Sequence, residues 1–188
     1  MKSHARVVVI GGGVVGVSTL YHLTRKGWSD VVLLERTELT AGSTWHAAGL
    51  LPLFNMSYTV GQLHKYSVDL YKRLPAETGQ DVSFHVTGNL RLATCRDRMD
   101  EYRKYCGTAN TIGVPFQLIS PAEVKELWPL VNLGGDADTP AVIGALYHPD
   151  DGHIAPADLT AALRKAARSA GAEINEHTEV IGAVRMPS

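Results

Sequence analysis

The chain is poor in the features that mark secreted, membrane-spanning or nucleic-acid-binding proteins. Its 188 residues include only two cysteines, Cys95 and Cys106. That is too few for a disulfide framework, and the pair lacks the CxxC spacing of a metal or redox site. Two free, mostly buried thiols in a reducing compartment are expected. No apolar run approaches the roughly 18 residues needed to span a membrane. Basic and acidic residues, 18 against 19, are interspersed and leave a net charge of −1, which excludes the electrostatic footprint of a nucleic-acid or anionic-membrane partner. The first β-branched run begins within a few residues of Met1, leaving no stretch for a signal or transit peptide. The expected location is the cytoplasm, or the mitochondrial matrix for a processed eukaryotic homologue. Hydrophobic residues make up 45% of the chain, enough for a sizeable core.

What is present is concentrated at the start. Val7-Val8-Val9-Ile10 is a continuous β-branched run, which suits a parallel strand buried on both faces. Gly11, Gly13 and Gly16 follow it in a G-x-G-x-x-G pattern. The first glycine permits a tight turn, the second lets backbone approach a pyrophosphate, and the third lets the next helix pack closely. That helix is predicted over residues 14–26, with Gly27 as its left-handed stop; Leu20 and Leu23, with Val17 or Thr24, are core positions. Its N-terminus would aim unpaired N–H groups and a positive dipole end at phosphate. A second strand, 31–34, leads to Glu35, where an acid meets an adenosine ribose. A carboxylate there disfavours the 2′-phosphate of NADP, although Arg36 is a residue that could accommodate one. Strand, glycines, helix, strand and acid in this order predict an adenine dinucleotide, NAD or FAD.

Further along, the spacing predicts a helix from Tyr58 to Leu74, ended by Pro75 and Gly79. Strands are expected over 82–86, 88–94 and 142–147, and a helix over Met99–Ile112 stopped by Gly113. Ser120-Pro121-Ala122-Glu123 is a capping box opening a short helix. An alanine-rich helix from Pro156 to Gly171, a strand over 172–175 and another over 178–184 restore the α/β rhythm. The predicted fold is therefore α/β: an incomplete Rossmann-like dinucleotide domain interrupted by an inserted α+β portion. The expected divisions are 1–80 and 149–188 for the first, and 81–148 for the insertion. His148, Asp150, Asp151 and His153 cluster near a Pro-Asp-Asp-Gly turn but match no common ligand spacing, so no metal site is assigned.

The connection after Glu35 is long for this position, and such loops are usually functional. It reads Gly42-Ser43-Thr44-Trp45-His46-Ala47-Ala48-Gly49-Leu50: two hydroxyls, small residues allowing close backbone approach, and a lone imidazole. Together with the glycine fingerprint and Glu35-Arg36, it closely resembles the FAD-dependent amine oxidoreductases of the D-amino-acid-oxidase superfamily, most of all the dimethylglycine and sarcosine dehydrogenases. The resemblance extends through Gly88-Asn89-Leu90-Arg91-Leu92-Ala93, Gly144-Ala145-Leu146-Tyr147-His148-Pro149 and Asp151-Gly152-His153-Ile154. Leu20 is a departure, since related sequences usually carry alanine there.

The resemblance implies FAD as cofactor. Gly11, Gly13, Val14, Val15 and Gly16 would lie at the pyrophosphate, Glu35 and Arg36 at the ribose and adenine, residues 42–50 along the remainder, and Val180 at the adenine ring. It also implies covalent attachment of His46 to the flavin 8α-methyl carbon. The implied activity is oxidative demethylation of a small N-methylated amino acid such as dimethylglycine or sarcosine. Electrons would pass to an electron-transfer flavoprotein, as in the family's dehydrogenases, or to oxygen, as in its oxidases; the sequence does not decide between the two acceptors. Family members extend well past residue 188. The substrate site, its catalytic residues and any tetrahydrofolate-binding region are therefore expected beyond this stretch, so the catalytic residues are unassigned. Two other readings stay open. One is a noncovalent FAD amino-acid oxidase of the glycine-oxidase type; the other is a catalytically inactive FAD-binding fragment or subunit that needs a partner chain.

Overall fold

The computed structural model describes residues 2–185. Along them run β1 (Val7–Ile10), α1 (Val14–Arg25), β2 (Val31–Leu34), β3 (Leu50–Leu51), α2 (Tyr58–Thr78), β4 (His85–Val86) and β5 (Asn89–Ala93). They are followed by α3 (Arg96–Ile112), β6 (Gln117–Ile119), α4 (Pro121–Leu127), β7 (Gly144–His148), β8 (Gly152–His153), α5 (Pro156–Ser169) and β9 (Glu173–Asn175). These elements form two compact units. One takes the chain up to Gly49, Tyr71–Phe84 and everything from Ile154 on; the other takes Leu50–Leu70 and His85–His153.

The first unit holds a parallel sheet in the order β1-β2-β9, with Val7 opposite Val31 and Leu33 opposite Ile174. Val31, Val32 and Leu33 are buried, as a central parallel strand requires. The expectation that β1 is buried on both faces does not hold, because Val8 is 50% and Ile10 66% exposed. Successive strand side chains alternate, and Val9 is the one that faces the start of α1 at Gly16. Val8 and Ile10 take the opposite face, which stays open. α1 packs on α5; Val17, Leu20 and Tyr21 of the one, and Leu159, Ala162, Leu163 and Ala167 of the other, are buried. Gly27 has φ 84°, the left-handed stop expected after α1.

α2 continues past Pro75, where the sequence predicted its end, and reaches Thr78. Proline removes one N–H from the ladder, but the following turn is held by the Thr78 hydroxyl on the Leu74 carbonyl (2.7 Å) and by Gly79 N–H on the Pro75 carbonyl (2.8 Å). The strand predicted over 178–184 is not formed. Backbone pairing runs as far as Thr178, whose N–H donates to the Glu35 carbonyl at 2.7 Å. Ile181 and Val184 are almost fully exposed, and a strand without a ladder partner has no stabilising hydrogen bonds.

In the second unit an antiparallel sheet β5-β7-β6 sets Asn89 opposite His148 and Ile119 opposite Ala145. Tyr102, Tyr105 and Ala109 of α3 close a core with Ala93 and Leu146, joined by Phe54, Met99 and Phe116. α3 begins at Arg96, before the predicted Met99, and ends at Gly113 with φ 77°. The capping box of α4 is formed by Ser120 and Glu123. A second sheet, β3-β8-β4, places His153 opposite both Leu50 and His85. Because β8 bridges β3 and β4, residues 50–70 and 149–153 belong to this unit, and the division differs from 1–80, 81–148 and 149–188. Cys95 is exposed and Cys106 half-buried, so the thiols are less enclosed than composition suggested: Cys95 sits at the α3 N-cap rather than inside a helix face.

Candidate dinucleotide site

The site is built where β1 and β2 end side by side. Gly11 leaves β1 with φ 109° and donates its N–H to the Leu34 carbonyl at 2.9 Å, which turns the chain into α1 by Val14. A Cβ at Gly16 would drive into the Gly11 carbonyl, a backbone atom that cannot step aside. The third glycine of the fingerprint thus allows the first turn of α1 to lie against the loop preceding it.

Glu35 extends from the end of β2 under this loop. Its carboxylate accepts the Gly12 N–H at 2.6 Å on one oxygen, and the Thr37 N–H (2.9 Å) and hydroxyl (3.1 Å) on the other. Partial burial works against ionisation, but the hydrogen bonds from Thr37 and Gly12, with the neighbouring Arg36 charge, outweigh it and hold the pKa below the usual carboxylate range. The long connection then returns to the glycine loop. Thr40, at φ 70°, donates its N–H to the Gly12 carbonyl (3.1 Å), and the Thr44 hydroxyl oxygen accepts the Val14 N–H (2.9 Å). Around these bonds lies a cleft of about 450 Å³ lined by residues 11–15, 35–37 and 41–44.

Of the residues singled out by sequence, Gly11, Gly13, Val14, Val15, Glu35, Arg36, Gly42, Ser43 and Thr44 line this one cleft. Gly16 stands behind it. Trp45, His46, Ala47 and Ala48 lie on an exposed turn outside the cleft lining, where His46 N–H donates to the Ser43 carbonyl at 3.2 Å. Gly49 has φ 72° and its carbonyl accepts from Ile154 N–H at 2.9 Å. Leu50 begins β3 in the second unit. Val180 is half-buried, two residues past the Thr178 bond to Glu35, and does not line the cleft. Sequence reasoning missed Gly12, Thr37 and Ala41, which do line it. The signal for Thr37 was its place two residues after the acid, where a hydroxyl and an N–H can both return to the carboxylate.

A separate polar cluster sits inside the second unit. His148 is fully buried, and its Nδ1–H donates to the Pro115 carbonyl at 3.1 Å. Burial pushes its pKa down to about 4. Asp151, only 1% exposed, accepts the Leu53 N–H at 2.9 Å. Burial, opposed by that bond and by Arg91, raises its pKa to about 6. Among the described residues no group of three or more His, Cys, Asp or Glu is placed to hold a metal, and no helix is long and apolar enough to cross a membrane.

A parallel βαβ unit with a glycine turn, an open helix N-terminus and an acid at the second strand end defines an adenine-dinucleotide-binding protein. Sequence comparison narrows the class. Residues 6–187 match the family model for FAD dependent oxidoreductases, and the chain belongs to that family. It is 46% identical over 170 residues to mitochondrial dimethylglycine dehydrogenase of Rattus norvegicus, which covers 90% of this chain and 19% of the relative. It is 40% identical over 183 residues to mitochondrial sarcosine dehydrogenase of Homo sapiens, covering 97% of this chain and 19% of that one. The chain thus spans about a fifth of the length of these relatives. Among solved structures, L-proline dehydrogenase from P. horikoshii superposes with a TM-score of 0.88 at 32% identity, covering 98% of this chain and 47% of that one.

Proposed function

We propose that this chain is the FAD-binding N-terminal portion of an oxidoreductase that demethylates a small N-methylated amino acid, such as dimethylglycine or sarcosine. The observation that carries this reading is the 46% identity to dimethylglycine dehydrogenase across 90% of the chain. The cleft fits the cofactor. Gly16 leaves room for close packing against Gly11, the N-terminus of α1 opens on the cleft, and Glu35 is held ionised beside it. In this reading Gly11, Gly13, Val14, Val15 and Gly16 surround the pyrophosphate. Glu35 takes the ribose, Arg36 and Val180 flank the adenine, and residues 42–50 follow the remainder of the cofactor. The first unit is the FAD-binding domain and the second a portion of the substrate domain. FAD, when bound, supplies the two-electron acceptor, and these residues bind and orient it.

His46 is proposed as the covalent tether. Its imidazole lies on an exposed turn four residues beyond Gly42, and a neutral ring nitrogen is a competent nucleophile toward an activated methyl group. The partners implied are a small amine and an electron-transfer flavoprotein; tetrahydrofolate would belong to a region outside this chain. The test is anaerobic addition of dimethylglycine, sarcosine or glycine to the FAD-loaded full-length protein of which this chain is the N-terminal portion. Bleaching of the flavin by the N-methylated amines with release of formaldehyde supports the reading. Bleaching by glycine with no response to the N-methylated amines would replace it with a glycine-oxidase activity. Acid precipitation of the same sample should leave flavin fluorescence with wild-type protein and release it from His46→Ala.

A further inference from the structure

The N-terminus of α1 does not offer all of its amides to the cleft. Gly12 N–H is taken by Glu35 and Val14 N–H by the Thr44 hydroxyl oxygen. Gly13, Val15 and Gly16 N–H have no hydrogen-bond acceptor among the described residues. Thr44 is the unusual member of this set. It is a polar side chain only 7% exposed that lines the cleft, and a Cβ on Gly13 would stand 3.1 Å from its hydroxyl oxygen. Its oxygen is used as an acceptor, while its own proton meets no acceptor among the described residues. A hydroxyl has one proton and two lone pairs, so accepting from Val14 leaves the proton available on the cleft side.

We infer that Thr44 is a relay between the helix and the cofactor's diphosphate: Val14 N–H donates to Thr44 Oγ1, and the Thr44 hydroxyl donates to a phosphate oxygen. This rests on the proposal that FAD binds this cleft. The direct amide donors are then Gly13 and Val15, and Val14 acts at one remove. Chained hydrogen bonds polarise one another in a low-dielectric site, so the helix dipole reaches the phosphate through the threonine. The same bond fixes the start of the 44–50 turn to the glycine loop, which makes Thr44 a positioning residue for the segment that carries His46.

The experiment measures FAD and ADP affinity for wild type, Thr44→Ser and Thr44→Val. Losing a hydrogen bond to a charged group predicts affinity reduced by roughly tenfold or more in the valine variant for both ligands, with serine within about threefold of wild type. Equal affinity of valine and wild type overturns the relay. So does a serine variant as weak as valine, because the methyl group, and not the hydroxyl, would then matter. Should the valine variant fail to fold, through-hydrogen-bond ¹⁵N–³¹P couplings in FAD-loaded wild type decide. They are expected at Gly13 and Val15 and not at Val14, and a coupling at Val14 overturns the relay. Failure of wild type to bind either ligand sinks the FAD reading itself, a result distinct from every outcome above.

Discussion

The backbone N–H of Gly12 donates to the Glu35 carboxylate at 2.6 Å, joining the middle of the glycine loop to a strand end 23 residues away. The acid that would receive a ribose is also what holds the phosphate loop in shape. On the proposed FAD reading, two binding tasks therefore depend on one side chain.

Glu35→Ala is expected to weaken FAD binding by more than loss of a single ribose contact would. A charge-assisted hydrogen bond is worth about 1.5–3 kcal/mol, so a reduction of at least roughly tenfold is expected in a fluorescence titration, with Glu35→Gln intermediate. The pKa of Glu35 lies below its unfolded value. Its contribution is therefore present above the ordinary carboxylate pKa and lost as pH falls through the lowered one. FAD affinity should consequently persist into mildly acidic solution.

Two glycines of the site separate packing from flexibility. A Cβ at Gly16 meets the Gly11 carbonyl, whereas a Cβ at Gly42 meets nothing within 4 Å. Gly16→Ala should destabilise the chain by about 1–3 kcal/mol, the usual cost of overpacking, and weaken FAD binding. Gly42→Ala should leave stability close to wild type. Urea unfolding of the two variants checks this, and equal behaviour would contradict the account.

The dinucleotide unit was legible because each of its parts leaves a local mark: a β-branched run, glycines at fixed spacing, an acid at a strand end. The joins between parts were not. Nothing in Val7–Ile10 tells which face another element covers, so the exposure of Val8 and Ile10 came only from the placement of α1. Pro75 reads as a stop, yet hydrogen bonds from Thr78 and Gly79 carry the helix over it. Residues 178–184 have the pattern of a strand but lack the neighbour that makes one. Thr44 was legible as a hydroxyl in a functional loop. Its bond to Val14 depends on a fold that brings residues 30 apart together.

The second unit predicts two opposed pH dependences. Asp151 has its pKa raised to about 6. Its favourable contribution is therefore complete below the unfolded value and lost as pH rises toward 6. His148, lowered to about 4, contributes above its unfolded pKa and loses that contribution as pH falls toward 4. Each shift corresponds to roughly 3 kcal/mol at most, and the two offset each other across the same window. Relative to wild type, Asp151→Asn should lose stability as pH is lowered from 6.5 to 4, and His148→Asn should gain it. Urea midpoints measured across that range test both slopes, and parallel profiles for the three proteins would contradict the assignment.

The most direct test of the central claim is a titration of the purified chain with FAD, followed by fluorescence quenching and checked by competition with ADP. One FAD per chain, displaced by ADP and weakened by Glu35→Ala, is the predicted result. Absence of saturable quenching, or binding unaffected by both ADP and Glu35→Ala, would contradict it.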